Sequence, residues 1–245
     1  MKVWITEIQE ANALLERIAQ RMIAMQARGV APARDAVDVG KLLEGLEQFL
    51  TIAGGTDDDR VKAAAITQDD VTRLGEYGFS LLTDLGRWAK DTQSPELLSE
   101  LRRIVPVVCQ WILRHGGQIE TLDTLVDACA YIANHTSDQA ELAELACLMS
   151  AAAQACSAGI KADLEKSNPG RPWRLLHLNL AISATRSNRL ELMEKCFAQL
   201  LSALPEEASG FFREGMREME RRDYASEVRA VMQRYFDRYT RPRMN

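Results

Sequence analysis

The sequence predicts an all-α protein of about ten helices folded as antiparallel helical hairpins, and three observations carry that prediction. Apolar residues recur three and four apart along most of the 245 residues, the period of a helix with one buried face. Between those stripes lie helix stops and starts such as Arg114-His115-Gly116-Gly117 and Asn168-Pro169-Gly170, with little linker to either side. The only stretch with strand character, Ile104 to Leu113, keeps its apolar residues at helical spacing.

At the front, Trp4, Ile8, Ala11, Leu15, Ile18, Met22 and Met25 alternate spacings of four and three, which predicts a helix over 4–28 that ends near Gly29. Ile5, Leu14, Ala19 and Ile23 widen the stripe and favour packing within the chain; a homodimer through helix 4–28 is the alternative. Gly29 to Asp38, with Pro32, reads as a loop. Leu42, Leu43, Leu46, Phe49, Leu50 and Ala53 make a second helix, which Gly54-Gly55-Thr56-Asp57-Asp58-Asp59 is expected to break. That acidic run is no calcium loop, because the Gly and Glu an EF-hand needs at its sixth and twelfth positions are Lys62 and Gln68. Thr67-Gln68-Asp69-Asp70 resembles a capping box with Asp in place of Glu. The helix it opens carries Gly75, Gly78 and Gly86, each costing about 1 kcal/mol relative to Ala, so close approach of a neighbouring helix is expected at each. Ser94-Pro95-Glu96 starts the next helix, which Pro106 should kink.

Leu122 to Ala133 forms a further helix closed by Asn134-His135, and Thr136 or Ser137 is expected to cap a long Ala-rich helix reaching about Leu164. Its middle, Leu145 to Ile160, is apolar nearly all round and should be central. From Asn168 to Tyr239 four helical segments of similar length follow one another. Pro172 suits a first turn, Asn188 is expected to cap the second, Pro205 to open the third and Asp223 to cap the fourth. In the first of the four, Trp173, Leu176, His177, Leu180, Ala181 and Ala184 lie on one side and Leu175, Leu178 and Ile182 on the other. A helix apolar on two sides is expected between neighbours, with two polar stripes left over.

Pro172 and Pro205 are 33 residues apart, Asn188 and Asp223 are 35, Trp173 is followed three residues on by Leu176, and Phe211 is followed four residues on by Gly215. This resembles the helix–turn–helix repeats of the tetratricopeptide family, with degenerate positions at His177, Leu180 and Glu214. The resemblance covers 168–240 and implies a stacked α-solenoid that recognises a protein or peptide in a concave groove. The expected organisation is N-terminal helices with an acidic loop over 1–66 and stacked hairpins over 67–245.

Composition narrows the function classes. The five cysteines, Cys109, Cys129, Cys147, Cys156 and Cys196, form no Cys-x-x-Cys pair and read as reduced thiols of a cytoplasmic protein. The longest uncharged run, Leu145 to Ile160, falls short of a membrane span of about 20 residues, so no membrane partner is expected. Residues 168–245 carry 14 Lys and Arg against 10 Asp and Glu, whereas residues 1–167 carry 16 against 25. The acidic isoelectric point and the acids interspersed among Arg213, Arg217, Arg221, Arg234, Arg238, Arg241 and Arg243 argue against nucleic acid.

No hydrolase, nucleotide or zinc motif occurs, so no cofactor or metal is expected. His115, His135 and His177 are far apart; the best acidic cluster is Asp123, Asp127, His135, Asp138, Glu141 and Glu144, a pattern that solvated helix faces also produce. Two classes remain: an interaction module for a protein or acidic peptide, and an all-α enzyme or small-ligand protein with its site between helices. A closed pocket with converging ionisable groups would favour the second. For the first, the expected groove is bordered by Arg174, Asn179, Arg186, Arg213 and Arg217, since Arg pairs with carboxylates bidentately.

Overall fold

A computed structural model describes residues 3–30, 38–58 and 65–240. Among the described residues there are eleven α-helices and no strand: α1 (Ile8–Ala27), α2 (Val39–Asp58), α3 (Gln68–Asp91), α4 (Pro95–Arg114), α5 (Asp123–His135), α6 (Gln139–Ala155), α7 (Ala158–Lys161), α8 (Pro172–Arg186), α9 (Leu190–Ala203), α10 (Ala208–Arg221) and α11 (Ser226–Thr240), with a 3-10 turn at Pro205–Glu207. The all-α class holds. No described helix is long and apolar enough to cross a membrane. Contacts divide the chain into two compact units, Met1–His135 with Gln154–Leu164, and Thr136–Ala153 with Glu165–Asn245.

In the first unit α1 packs on α2, α2 on α3 and α3 on α4, and α1 also lies on α4, so the four helices close into a bundle. Met25 and Arg21, late in α1, meet Ser94 and Glu100 at the start of α4. At the other end Thr56 and Asp57 of α2 meet Trp111, Arg114 and His115 of α4. The helices therefore alternate in direction. Their core is the expected stripes: Leu14, Ile18 and Met22 from α1, Leu46, Phe49 and Leu50 from α2, Phe79 and Leu85 from α3, and Ile104, Val108, Trp111 and Ile112 from α4. Phe49 and Trp111 meet edge to face at 5.4 Å. The helix continues through Pro106, and the Arg103 carbonyl, next to the one that Pro106 leaves without a donor, accepts the Ile5 N–H. Outside the bundle, α5 packs on α4 and α3.

The chain does not break at Gly54. Instead α2 runs through both glycines to Asp58, because Thr56 bonds back to the Ile52 and Ala53 carbonyls and accepts from Trp111 Nε1, while Asp57 is held by Arg114 and His115. Tertiary contacts outweigh glycine's poor propensity here. The loop expected over 29–38 and the residues 59–64 beyond Asp58 lie mostly outside the described residues. The capping box is present as predicted, with Thr67 Oγ1 accepting from Asp70 N and Asp70 from Thr67 N.

The helix expected to reach Leu164 ends at Ala155. There Ile119 N–H donates to the Ala155 carbonyl and Ser157 N–H to the Ile119 carbonyl, an isolated β-bridge that draws the backbone out of the helix. Its cap is Asp138, whose Oδ1 accepts from Ala140 and Glu141 N–H, and not Thr136 or Ser137.

In the second unit α8 and α9 form one hairpin, α10 and α11 another, and α9 touches α11. The starts of α8 and α10, and those of α9 and α11, are both 36 residues apart, slightly more than the sequence period. Phe197 sits at the centre with its ring edge-to-face against Phe211, Phe212 and Tyr235. Gly215 lets α11 close in: a Cβ there would fall 2.6 Å from Met232 Sδ. Ser150 and Gln199 exchange hydrogen bonds and tie α6 to α9.

Two expectations fail in this unit and a third holds in part. Asn188 does not cap α9; it takes a left-handed φ of 55° just after α8, a conformation Asn tolerates, and Arg189 precedes α9. Asp223 does not cap α11, which begins at Ser226 after an extended stretch that seats Tyr224 against the core. The second apolar side of α8 is covered only in part, since Leu178 packs against the core and Leu175 is half-buried while Ile182 is 43% exposed; on the first side Leu176, Leu180, Ala181 and Ala184 are buried.

Candidate functional site

The arginines singled out from the sequence fall into two groups. Arg174, in the first turn of α8, grips Glu207 through Nε at 2.5 Å and Nη2 at 2.8 Å and also donates to the Pro169 carbonyl. That pairing raises the pKa of Arg174 and holds the Glu207 carboxyl below its ordinary value. Arg186, twelve residues further along α8, donates to the Thr136 carbonyl at 2.9 Å, and burial lowers its pKa. These two stand about 18 Å apart along the helix, too far to share one carboxylate. Asn179 is half-buried between them, and Ser183 is fully buried. Arg213 and Arg217 are exposed on α10, where Arg217 makes a 3.1 Å pair with Glu214 one turn back.

Next to that helix α11 presents an arrangement the sequence reading did not pick out. Tyr235 and Tyr239 are partly buried and stack at 6.2 Å with an interplanar angle of 14°. Arg234 lies over the Tyr235 ring and Arg238 over the Tyr239 ring, at 5.7 and 5.5 Å from the centroids. Arg234 also pairs with Glu194 of α9.

The acidic cluster is used locally. Asp127 is held bidentately by Arg102 at 2.8 and 3.0 Å, His135 bonds through Nδ1 to the Tyr131 carbonyl and stacks on the Tyr131 ring, and Asp138 caps α6. Among the described residues no group of three or more His, Cys, Asp or Glu side chains is placed to hold a metal ion. The other histidines are likewise engaged, His115 with Asp57 and Trp111 and His177 with Trp173.

In the first unit, Asp123 and Asp127 border a half-open cleft of about 300 Å³ between α3, α4 and α5. Thr83, Gly86 and Lys90 come from one face of α3, Leu98, Leu101, Arg102 and Val105 from α4, and Asp123, Thr124 and Asp127 from the first turns of α5. The start of α5 is fixed there by Glu76 of α3, which accepts from the Glu120 and Thr121 N–H groups and the Thr121 hydroxyl. Across the cleft the Thr83 and Thr124 hydroxyls are in contact at 2.5 Å, and the Arg102 guanidinium lies 4.8 Å from the Tyr131 ring centre. Leu82, Leu101 and Val105 form its floor, each no more than 3% exposed.

No family model, curated protein or solved structure matches this chain. Its function is therefore read from these two places alone. Of the cleft residues, the sequence points to Asp123 and Asp127 as acids and to Gly86 as a packing glycine, but carries no signal for Lys90, Arg102, Thr83 or Thr124. Gly86 carried the available signal. A Cβ at Gly75 would lie 2.3 Å from Ile112 Cγ1 and one at Gly78 3.3 Å from Phe49 and Val108, so the expected close approach is found at both. At Gly86 the nearest atom, Leu98 Cδ1, would be 3.5 Å away, an ordinary contact, and the packing explanation does not apply.

Proposed function

We propose that the chain is a protein-interaction module whose second unit, a tetratricopeptide-like pair of hairpins, seats an acidic peptide segment on α10 and α11. The observation that carries this reading is the Arg–Tyr ladder of α11. Arg234 is paired with Glu194, whereas Arg238, resting on the Tyr239 ring, makes no ion pair with the described residues, and Tyr and Arg are the residues in which interface energy concentrates. Arg213 and Arg217 add exposed cations on α10. Over the whole second unit the charges nearly cancel, 15 Lys and Arg against 14 Asp and Glu, so the preference for an acidic partner rests on the local placement of Arg213, Arg217 and Arg238. Arg174 and Arg186 have their charges committed within the unit and support the seat by holding α8 in place.

The test is a fluorescence-anisotropy titration with labelled peptides of equal length that are acidic, neutral or basic. The acidic peptide should bind best and weaken with added salt, and the double variant Arg213→Glu, Arg217→Glu and the variant Arg238→Ala should each lose about tenfold or more in affinity. Equal binding of the three peptides, or an unchanged affinity in both variants, refutes the reading.

A further inference from the structure

We propose that the cleft between α3, α4 and α5 binds a small zwitterion with an aliphatic tail, the chemistry of an aliphatic α-amino acid. The site lies within the first unit and is independent of the peptide seat on the second.

The cleft's charges are of two kinds. Arg102 and Asp127 satisfy each other in a bidentate pair, and the two threonine hydroxyls face each other. Lys90 and Asp123 make no ion pair with the described residues, although both line the same cavity. Lys90 and Asp123 are exposed, so water satisfies both charges in the open cleft; what they supply is complementarity, since a ligand with both charges can pair with each, whereas an acid can pair only with Lys90 and an amine only with Asp123. The floor of Leu82, Leu101 and Val105, with half-buried Leu98 beside it, is apolar and suits a branched hydrocarbon. A volume of about 300 Å³ lies at the small end of ligand pockets.

Lys90 near the end of α3 and Asp123 at the start of α5 each also complement their own helix dipole. That role accounts for the two charges but not for the space between them. Gly86 bears on the space. It stands inside a helix, where glycine is unfavourable, at a position with room for a methyl group, and it opens onto the cavity.

Calorimetric titration of the full chain with leucine, 4-methylpentanoate and 3-methylbutylamine tests the assignment. Leucine should bind saturably, and the acid and the amine, each lacking one charge, should bind at least about tenfold more weakly. Lys90→Ala should weaken leucine by about tenfold and leave the amine unaffected, and Asp123→Asn should weaken leucine and leave the acid unaffected. Gly86→Leu should fill the floor and abolish leucine binding while circular dichroism shows the helices intact. Should that variant fail to fold, the two exposed substitutions decide alone. Absence of saturable binding by leucine, equal binding of all three probes, or indifference to both Lys90→Ala and Asp123→Asn overturns the proposal.

Discussion

Arg174 and Glu207 illustrate what a single pair of residues contributes. Each side chain is 22% exposed, and the two parallel hydrogen bonds join the start of α8 to the turn before α10. The Arg174 bond depresses the Glu207 pKa below 4.5, so the ionised pair stabilises the folded state above that value, and the contribution disappears as pH falls through the native pKa. Replacing Glu207 with Gln should cost about 1 kcal/mol at neutral pH, read from urea unfolding, and the curves of the two proteins should converge in acid. A difference that persists unchanged at low pH would show that the ion pair is not its source. The sequence shows Arg174 on a polar stripe, but its partner lies 33 residues away and becomes visible only when the hairpins stack. Thus the five groove residues were legible as surface candidates, whereas their division into committed and exposed charges was not.

At the scale of helices, local signals served well where a residue's own chemistry decides the outcome. Thr67 and Asp70 formed their capping box, Pro95 and Pro172 each stand in a first turn, and Gly116 took the left-handed φ of 74° that ends α4. They failed where a distant group decides: at Gly54 and Gly55, which Trp111, Arg114 and His115 hold helical from α4, and at Cys156, which Ile119 pulls out of α6. The glycines of α3 allow a direct comparison. Gly75→Ala pushes a methyl into the fully buried Ile112 and should lower stability by about 1–3 kcal/mol. Gly86→Ala meets only an ordinary contact and should leave stability unchanged or raise it by up to about 1 kcal/mol. Equal effects at the two sites in thermal or urea unfolding would contradict the packing described for α3 and α4.

Across the whole molecule the cysteines report on folding without any added probe. Cys109, Cys129 and Cys156 are buried in the first unit and Cys196 in the second, while Cys147 is exposed. Burial pushes the thiols of Cys129, Cys156 and Cys196 up to about 12, and that of Cys109 well above its ordinary value, so at neutral pH they are both protonated and inaccessible. A thiol-specific reagent should therefore modify Cys147 at once and the other four only as fast as the structure opens, which peptide mass spectrometry resolves unit by unit. Rapid labelling of any of the four would place that region in solvent.

The chain's threading carries a consequence for its birth on the ribosome. The first unit is not finished at His135; it also needs Gln154–Leu164, whose backbone joins Ile119 on both sides of Cys156. Emerging from its N-terminus, the polypeptide can assemble the four-helix bundle early, but the last strap of that unit arrives only after residues 136–153 of the second unit have left the exit tunnel. Those residues then wait for 165–240 to be translated. Neither unit can be completed before translation of the other has begun, and a chain ending at residue 135 would carry a bundle whose Ile119 backbone lacks both of its hydrogen-bond partners.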